Sequence, residues 1–199
     1  VRVAASVAPA RTRAFLDSLG VNASQLEGYV APDSYEFLPG TSPEVAFRTM
    51  VERQQVVLRR AMSGRDSMPL GFTVHQILTL ASIVESEAMK DDERPRIARV
   101  YINRLERGMR LQADPTVSYG LGRAPNSRVY LRQLRSNTPF NTYLYAGLPP
   151  GPICNPGAEA LRAAVTPSAT DFLYFVADRT GGHTFSRTFQ GPPARDPAG

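Results

Sequence analysis

Two glutamates, Glu85 and Glu87, close an otherwise apolar stretch, Leu80-Ala-Ser-Ile-Val-Glu-Ser-Glu-Ala88, and a polar segment, Leu111-Gln-Ala-Asp-Pro-Thr-Val-Ser-Tyr-Gly120, follows. A carboxyl group set among aliphatic side chains is either a costly burial or a working acid, because desolvation raises its pKa towards neutrality. One general acid on a rigid helix, beside a loop rich in hydrogen-bonding groups, is what cleavage of a sugar chain needs.

Two residues apart on a helix, the glutamates point roughly 200° away from each other, so they cannot act as a pair on one substrate atom. With Val74 at zero, His75, Gln76, Thr79, Ser82 and Ser86 occupy a polar arc from about 80° to about 200°. Glu87 falls at about 220°, beside Leu80 and Ile83, and Glu85 at about 20°, beside Leu78 and Ala81. Either fits a desolvated acid and periodicity does not choose. The plain alternative is a structural ion pair with Arg94 or Arg99.

Around them, Gln112, Thr116, Tyr119, Asn141, Thr142 and Tyr143 are the kinds of side chain that hydrogen-bond sugar hydroxyls and acetamides. Asp114 before Pro115 has the form of a helix N-cap followed by proline at the first helical position, which accounts for it without chemistry. His183 follows Gly181-Gly182 at the start of a strand, and reads as a hairpin surface residue unless it supports a ligand. Cys154 is the only cysteine, so no internal disulfide can form, and it reads as a packing residue. With His75 and His183 the only histidines, no Cys/His zinc site is expected. Asp91, Asp92 and Glu93 read as compensation of a helix dipole rather than as a metal site.

The elements that must carry these residues are legible in outline. A helix is expected over Pro9–Gly20 with Phe15, Leu16 and Leu19 on one side. Leu26–Leu38, broken by Pro32, reads as two short strands or an extended loop. Thr41-Ser-Pro-Glu44 has the form of a capping box opening a helix to about Ser63. Thr73 and Gln76 form a second capping box, with Phe72 positioned to staple onto Ile77, at the start of the helix of the glutamates. A further helix carries Ile97, Val100, Tyr101 and Leu105, and Gly108 ends it. Residues 137–155 form a long Pro/Gly/Asn loop, and Gly157–Val165 a brief helix. Phe172–Ala177 and His183–Phe189 flank a turn signal and predict a β-hairpin. Helices in the middle with strands at the two ends argue an α+β fold.

Composition sets the outer bounds. At 199 residues and ordinary apolar content the chain is globular. It carries a net charge of +5, almost all of it arginine, with Lys90 the only lysine. The arginines are scattered and no aromatic-interleaved basic stripe appears, so nucleic acid is not the expected partner. No stretch approaches the ~20 apolar residues that span a bilayer, and the first residues do not form a signal peptide.

The order of motifs carries one further reading. Leu26-Glu-Gly-Tyr-Val-Ala-Pro-Asp-Ser-Tyr35, Ala81-Ser-Ile-Val-Glu-Ser-Glu87, Glu93-Arg-Pro-Arg-Ile-Ala98 and Asn103-Arg-Leu105 are followed by Gly108–Gly120, Asn141-Thr-Tyr143, Gly147–Gly157, Leu173–Asp178 and Gly181–Ser186. Together these resemble the catalytic domain of the endolytic murein transglycosylases, the YceG-like (MltG) family. The resemblance runs over 26–189, which it implies to be a catalytic domain; residues 1–25 read from their own pattern as a helical lead-in and 190–199 as a disordered tail, where the family continues into more ordered chain. It implies an enzyme that cuts peptidoglycan glycan strands near the synthesis machinery, on the periplasmic side of the inner membrane. A single-pass anchor and a LysM-like subdomain are expected outside these residues.

The resemblance assigns Glu87 as the catalytic residue and leaves Glu85 as a supporting acid. Gln112, Asp114, Thr116, Tyr119, Asn141, Thr142, Tyr143, Asn155 and His183 become substrate-binding candidates, with no metal or cofactor. One carboxyl suffices because the 6-hydroxyl of N-acetylmuramic acid is itself the nucleophile, giving a 1,6-anhydro end. Two alternatives remain: a glycan-binding module without catalysis, and a muramidase-type hydrolase with Asp114 as second acid.

Overall fold

The computed structural model describes residues 12–65, 67–178 and 181–189. Its helices are α1 (Arg13–Ser18), α2 (Pro43–Ala61), α3 (Val74–Glu87), α4 (Arg94–Glu106), α5 (Asp114–Gly120) and α6 (Ala158–Val165). The antiparallel strands β1 (Tyr174–Ala177) and β2 (His183–Ser186) follow, in the α+β arrangement expected. The tail from residue 190 and the expected helix start at Pro9 lie outside the described residues.

The helix of the two glutamates is the centre of the molecule. Thr73 accepts a hydrogen bond from the Gln76 amide, and the Gln76 side chain accepts one from the Thr73 amide, as the capping box predicts. From Ile77 to Val84 every residue of α3 is buried. Helix α6 packs against α2, α3 and α4. Its Ala160, Ala163 and Ala164 are buried, and such small side chains let helix backbones approach closely. Because α3 is enclosed along its length, Glu85 and Glu87 are held at fixed positions where it surfaces. No helix among the described residues is long and apolar enough to cross a membrane.

The hairpin pairs Tyr174 with Ser186 and Ala177 with His183. It is fastened to α4 from below. Asn103 donates to the carbonyls of Thr170 and Phe172, and Arg104 donates to Leu173.

Three local expectations are corrected. The short strands near the N-terminal end do not form: residues 26–38 are turn and extended chain. Their neighbours are α2 and the 152–156 loop, neither of which offers a strand edge. Instead the Ala31 amide donates to Met50 of α2, and the Gly28 amide donates to Asn155 Oδ1 at 2.7 Å. The cap of α2 is Ser42 rather than Thr41, whose hydroxyl donates back to Leu38. Asp114 does not cap α5. Ala113 takes that place, no side chain caps it, and the Asp114 carboxylate is left in the first turn for other work.

Gly28 is where the N-terminal segment docks. Its φ is +85°, and a Cβ there would lie 2.3 Å from Cγ of Pro152. Both a left-handed backbone and a rigid neighbour oppose any side chain. Gly28→Ala is expected to cost roughly 3 kcal/mol or more and to lower Tm by roughly 6–12 °C, measured by thermal unfolding.

Candidate active site

Glu87 is the last residue of α3, where the chain leaves the core. The Tyr101 hydroxyl, from α4, donates to its Oε1 at 2.8 Å. Burial pushes the Glu87 carboxyl up to about 7; the Tyr101 hydrogen bond opposes this, the nearby charge of Asp114 adds to it and Arg104 moderates it. The residue keeps part of its surface open to a cavity, so a proton held there is accessible to a ligand. The carbonyl end of α3 also disfavours negative charge at this position. Tyr101 is itself held well above the ordinary phenol range by its burial and by Glu87.

Glu85 has a different occupation. Arg94 lies 3.5 Å from its Oε1, and its Oε2 accepts from the Gly157 amide at 3.4 Å. It faces the opposite side of α3 and secures the start of α6. The ion pair and the desolvated acid, interchangeable in the sequence pattern, thus fall on separate glutamates.

Beside Glu87 is a cavity of about 250 Å³. Four of the expected substrate-binding residues line it with Glu87: Gln112, Asp114, Tyr143 and His183. The Tyr143 hydroxyl donates to Asp114 Oδ1 at 2.6 Å, and burial followed by Asp114 raises its pKa. Asp114 lies at the amide end of α5, where negative charge is favoured. The cavity therefore sets the raised Glu87 carboxyl beside a second acid, Asp114, whose Oδ1 accepts from Tyr143. Gln112 is exposed and has a φ of +52°, unusual for a residue with a side chain. Its amide bonds to the Thr142 carbonyl, which holds that backbone in place.

Thr116, Asn141 and Thr142 are brought close to the site but are buried beneath it. The two threonine hydroxyls bond each other at 2.9 Å, and Thr142 also accepts from the Ala113 amide. Asn141 donates to Leu134 and Ser136 and accepts from the Tyr143 amide. These three spend their polar groups holding Ala113, Asp114 and Tyr143 in register. Tyr119 packs on Phe140 and accepts from Gln25, outside the cavity. Asn155 binds Gly28 and lines a separate cleft of about 580 Å³ with Glu85 and Tyr35. That cleft is larger but mostly apolar, and the desolvated acid is not in it.

Two residues of the site, Arg104 and Glu93, lie in the quoted motifs, yet the sequence assigns them no part in the site. Arg104 is buried, donates to the Leu111 carbonyl at 2.5 Å and to the Leu173 carbonyl at 2.7 Å, and lines the cavity. The available clue is its position three residues after Tyr101, on the inner face of α4. Glu93, read as one of a solvated acidic trio, is buried and bound to His183. Asp91 and Asp92 instead pair with Arg94 and Arg96. Among the described residues no group of His, Cys, Asp or Glu could hold a metal ion.

Since the Tyr101 hydrogen bond lowers the Glu87 pKa, Tyr101→Phe is expected to raise it. A pH titration of the Glu87 carboxyl by carbon-detected NMR would place the midpoint at higher pH in the variant; an unchanged or lower midpoint contradicts the assignment.

Comparison with known proteins follows the same lines. The YceG-like family model matches residues 2–192. An endolytic murein transglycosylase of Bacillus subtilis is 39% identical over 166 residues, covering 83% of this chain and 45% of that protein. One of Streptococcus pneumoniae is 34% identical over 188 residues, covering 90% of this chain and 34% of that protein. The chain thus spans less than half the length of these curated relatives. The 2.6 Å crystal structure of a YceG-like protein from Listeria monocytogenes superposes with a TM-score of 0.79 at 34% identity. It is matched over 92% of this chain and 63% of its own length.

Proposed function

Because the chain belongs to the YceG-like family, we propose that it is the catalytic part of an endolytic lytic transglycosylase acting on peptidoglycan. The observation that carries the reading is the Glu87 carboxyl, pushed up to about 7 and opening on a polar cavity. The names of the two relatives support the substrate class.

The bond cut is the β-1,4 link between N-acetylmuramic acid and N-acetylglucosamine. Glu87, protonated at the start, donates its proton to the leaving glycosidic oxygen. The 6-hydroxyl of the muramic ring attacks its own anomeric carbon, its proton returns to Glu87, and a 1,6-anhydro end results. Attack within one ring removes the entropic cost of recruiting a second reactant. Tyr101 holds the carboxyl in place, while Gln112, Asp114 and Tyr143 offer hydrogen bonds to sugar hydroxyls and acetamides. The scheme calls for neither metal nor cofactor. The substrate puts the reaction on the outer side of the inner membrane, beside the synthesis machinery.

The neighbourhood of Asp114 and Glu87 favours one other reading, a two-carboxylate hydrolase. Mass spectrometry of uncrosslinked glycan strands after incubation separates the two. Transglycosylation gives internal fragments one water lighter than hydrolysis does. Reducing ends in place of anhydro ends would sink the one-acid scheme.

A further inference from the structure

Glu87 enters the reaction protonated, so it cannot take the hydroxyl proton until it has given its own away. A sugar hydroxyl is a weak nucleophile without a neighbouring acceptor. The same cavity is lined by a histidine, His183. His183 Nδ1 lies 2.8 Å from Glu93 Oε2, and the His183 amide donates to Glu93 Oε1 at 2.7 Å. Their side chains are only 6% and 5% exposed. The pair joins residues 90 apart in the chain, and the one-acid scheme uses neither of them. Gly182 leaves room for it, since a Cβ there would lie 2.6 Å from Glu93 Oε1.

Burial works against charge on Glu93, but the hydrogen bonds from the His183 ring and amide outweigh it and hold the carboxyl below its ordinary range. A carboxylate only accepts, so Nδ1 carries the ring proton. The ring stands edge-on to Phe175, with centroids 5.1 Å apart, and walls the Glu87 cavity. With Nδ1 committed, Nε2 is the ring nitrogen left for a ligand, and in the neutral ring it is a lone pair.

We propose that His183, oriented by Glu93, is the acceptor that takes the proton of the ring-closing 6-hydroxyl on Nε2. The inference rests on the glycan-cleaving reading. As the oxygen–anomeric carbon bond forms and the glycosidic bond breaks, the Glu87 proton goes to the leaving oxygen and the hydroxyl proton to Nε2. Glu93 steadies the imidazolium, which then returns its proton to the Glu87 carboxylate. No net proton is consumed. Glu93 is a positioning residue, and its role parallels that of the acid that orients histidine in hydrolase triads.

The test has an internal reference. His75 Nε2 lies 2.9 Å from the Pro150 carbonyl, which can only accept, and Tyr29 bonds its Nδ1. The two histidines should therefore be opposite tautomers, resolved by two-bond ¹H–¹⁵N spectra of the neutral rings. His183 protonated on Nε2 would overturn the proposal without any assay. On uncrosslinked glycan strands, His183→Gln and the isosteric Glu93→Gln are expected to lower kcat about 100-fold or more, with KM little changed. In Glu93→Gln the amide turns a donor towards Nδ1, so the ring proton should move to Nε2. A wild type that releases anhydro ends, with both variants cutting at its rate, would overturn the relay while leaving the cleavage reading intact. A wild type that releases none would remove both.

Discussion

Glu87→Gln is expected to lower glycan cutting by roughly 10²–10⁴-fold while leaving glycan binding in place. The amide keeps the shape of the carboxyl and can still accept from Tyr101, so the cavity should be preserved. The same variant is expected to be more stable than the wild type at neutral and alkaline pH. With its carboxyl raised to about 7 in the folded protein, the wild type must carry a desolvated charge there, which the amide avoids. Wild-type stability relative to the variant is therefore full below the unfolded pKa, near 4.5, and is lost as pH rises through about 7. The loss is of order 3 kcal/mol. Denaturant unfolding at acid and alkaline pH measures it. A wild-type-to-variant difference that is the same at both ends would mean that Glu87 is not desolvated. In the wild type, cutting should likewise fall as pH rises through about 7, because the acid form disappears.

Arg104→Met is expected to be strongly destabilising although Arg104 is not one of the reacting groups. It leaves the Leu111 and Leu173 carbonyls without their charged donor, at roughly 1–3 kcal/mol each where they are buried. It also removes the cation that moderates the Glu87 pKa, so the acid should stay protonated to higher pH. A cost of roughly 3 kcal/mol in denaturant unfolding, with faster amide exchange in β1, is the expected result. Arg104→Lys should recover little of it, since a single ammonium group cannot reproduce the guanidinium fork between two carbonyls. Wild-type stability in Arg104→Met would show that the hairpin is held by its own packing.

Much of the frame was legible because it is local. The Thr73–Gln76 box, the apolar run of α3 and the turn between the strands are each written in a few adjacent residues. Of the two readings of residues 26–38, the extended loop forms and the strands do not, because alternation needs a partner edge and these residues meet a helix and a loop. The site was legible in part. Glu85 and Glu87 have equivalent surroundings in the sequence. They are told apart only by Arg94, Gly157 and Tyr101, which tertiary folding delivers. Thr116, Asn141 and Thr142 have the right chemical type for sugar binding, but type does not say which way a hydroxyl turns. Arg104 and Glu93 were missed because charged residues of such types are ordinarily solvated. Each is buried by a partner about 70 to 90 residues further along.

That separation also has a consequence in time. A chain leaves the ribosome at roughly 5–20 residues per second, so His183 follows Glu93 by several seconds or more. Helices α3 and α4 can pair in that interval, since their contacts are close in sequence. During it Glu87 has its proton donor Tyr101 but no hairpin wall, no Glu93–His183 pair and no acceptor for Arg104 at Leu173. The cavity beside Glu87 is thus completed in one late step, when the last strand docks, rather than growing as the chain lengthens.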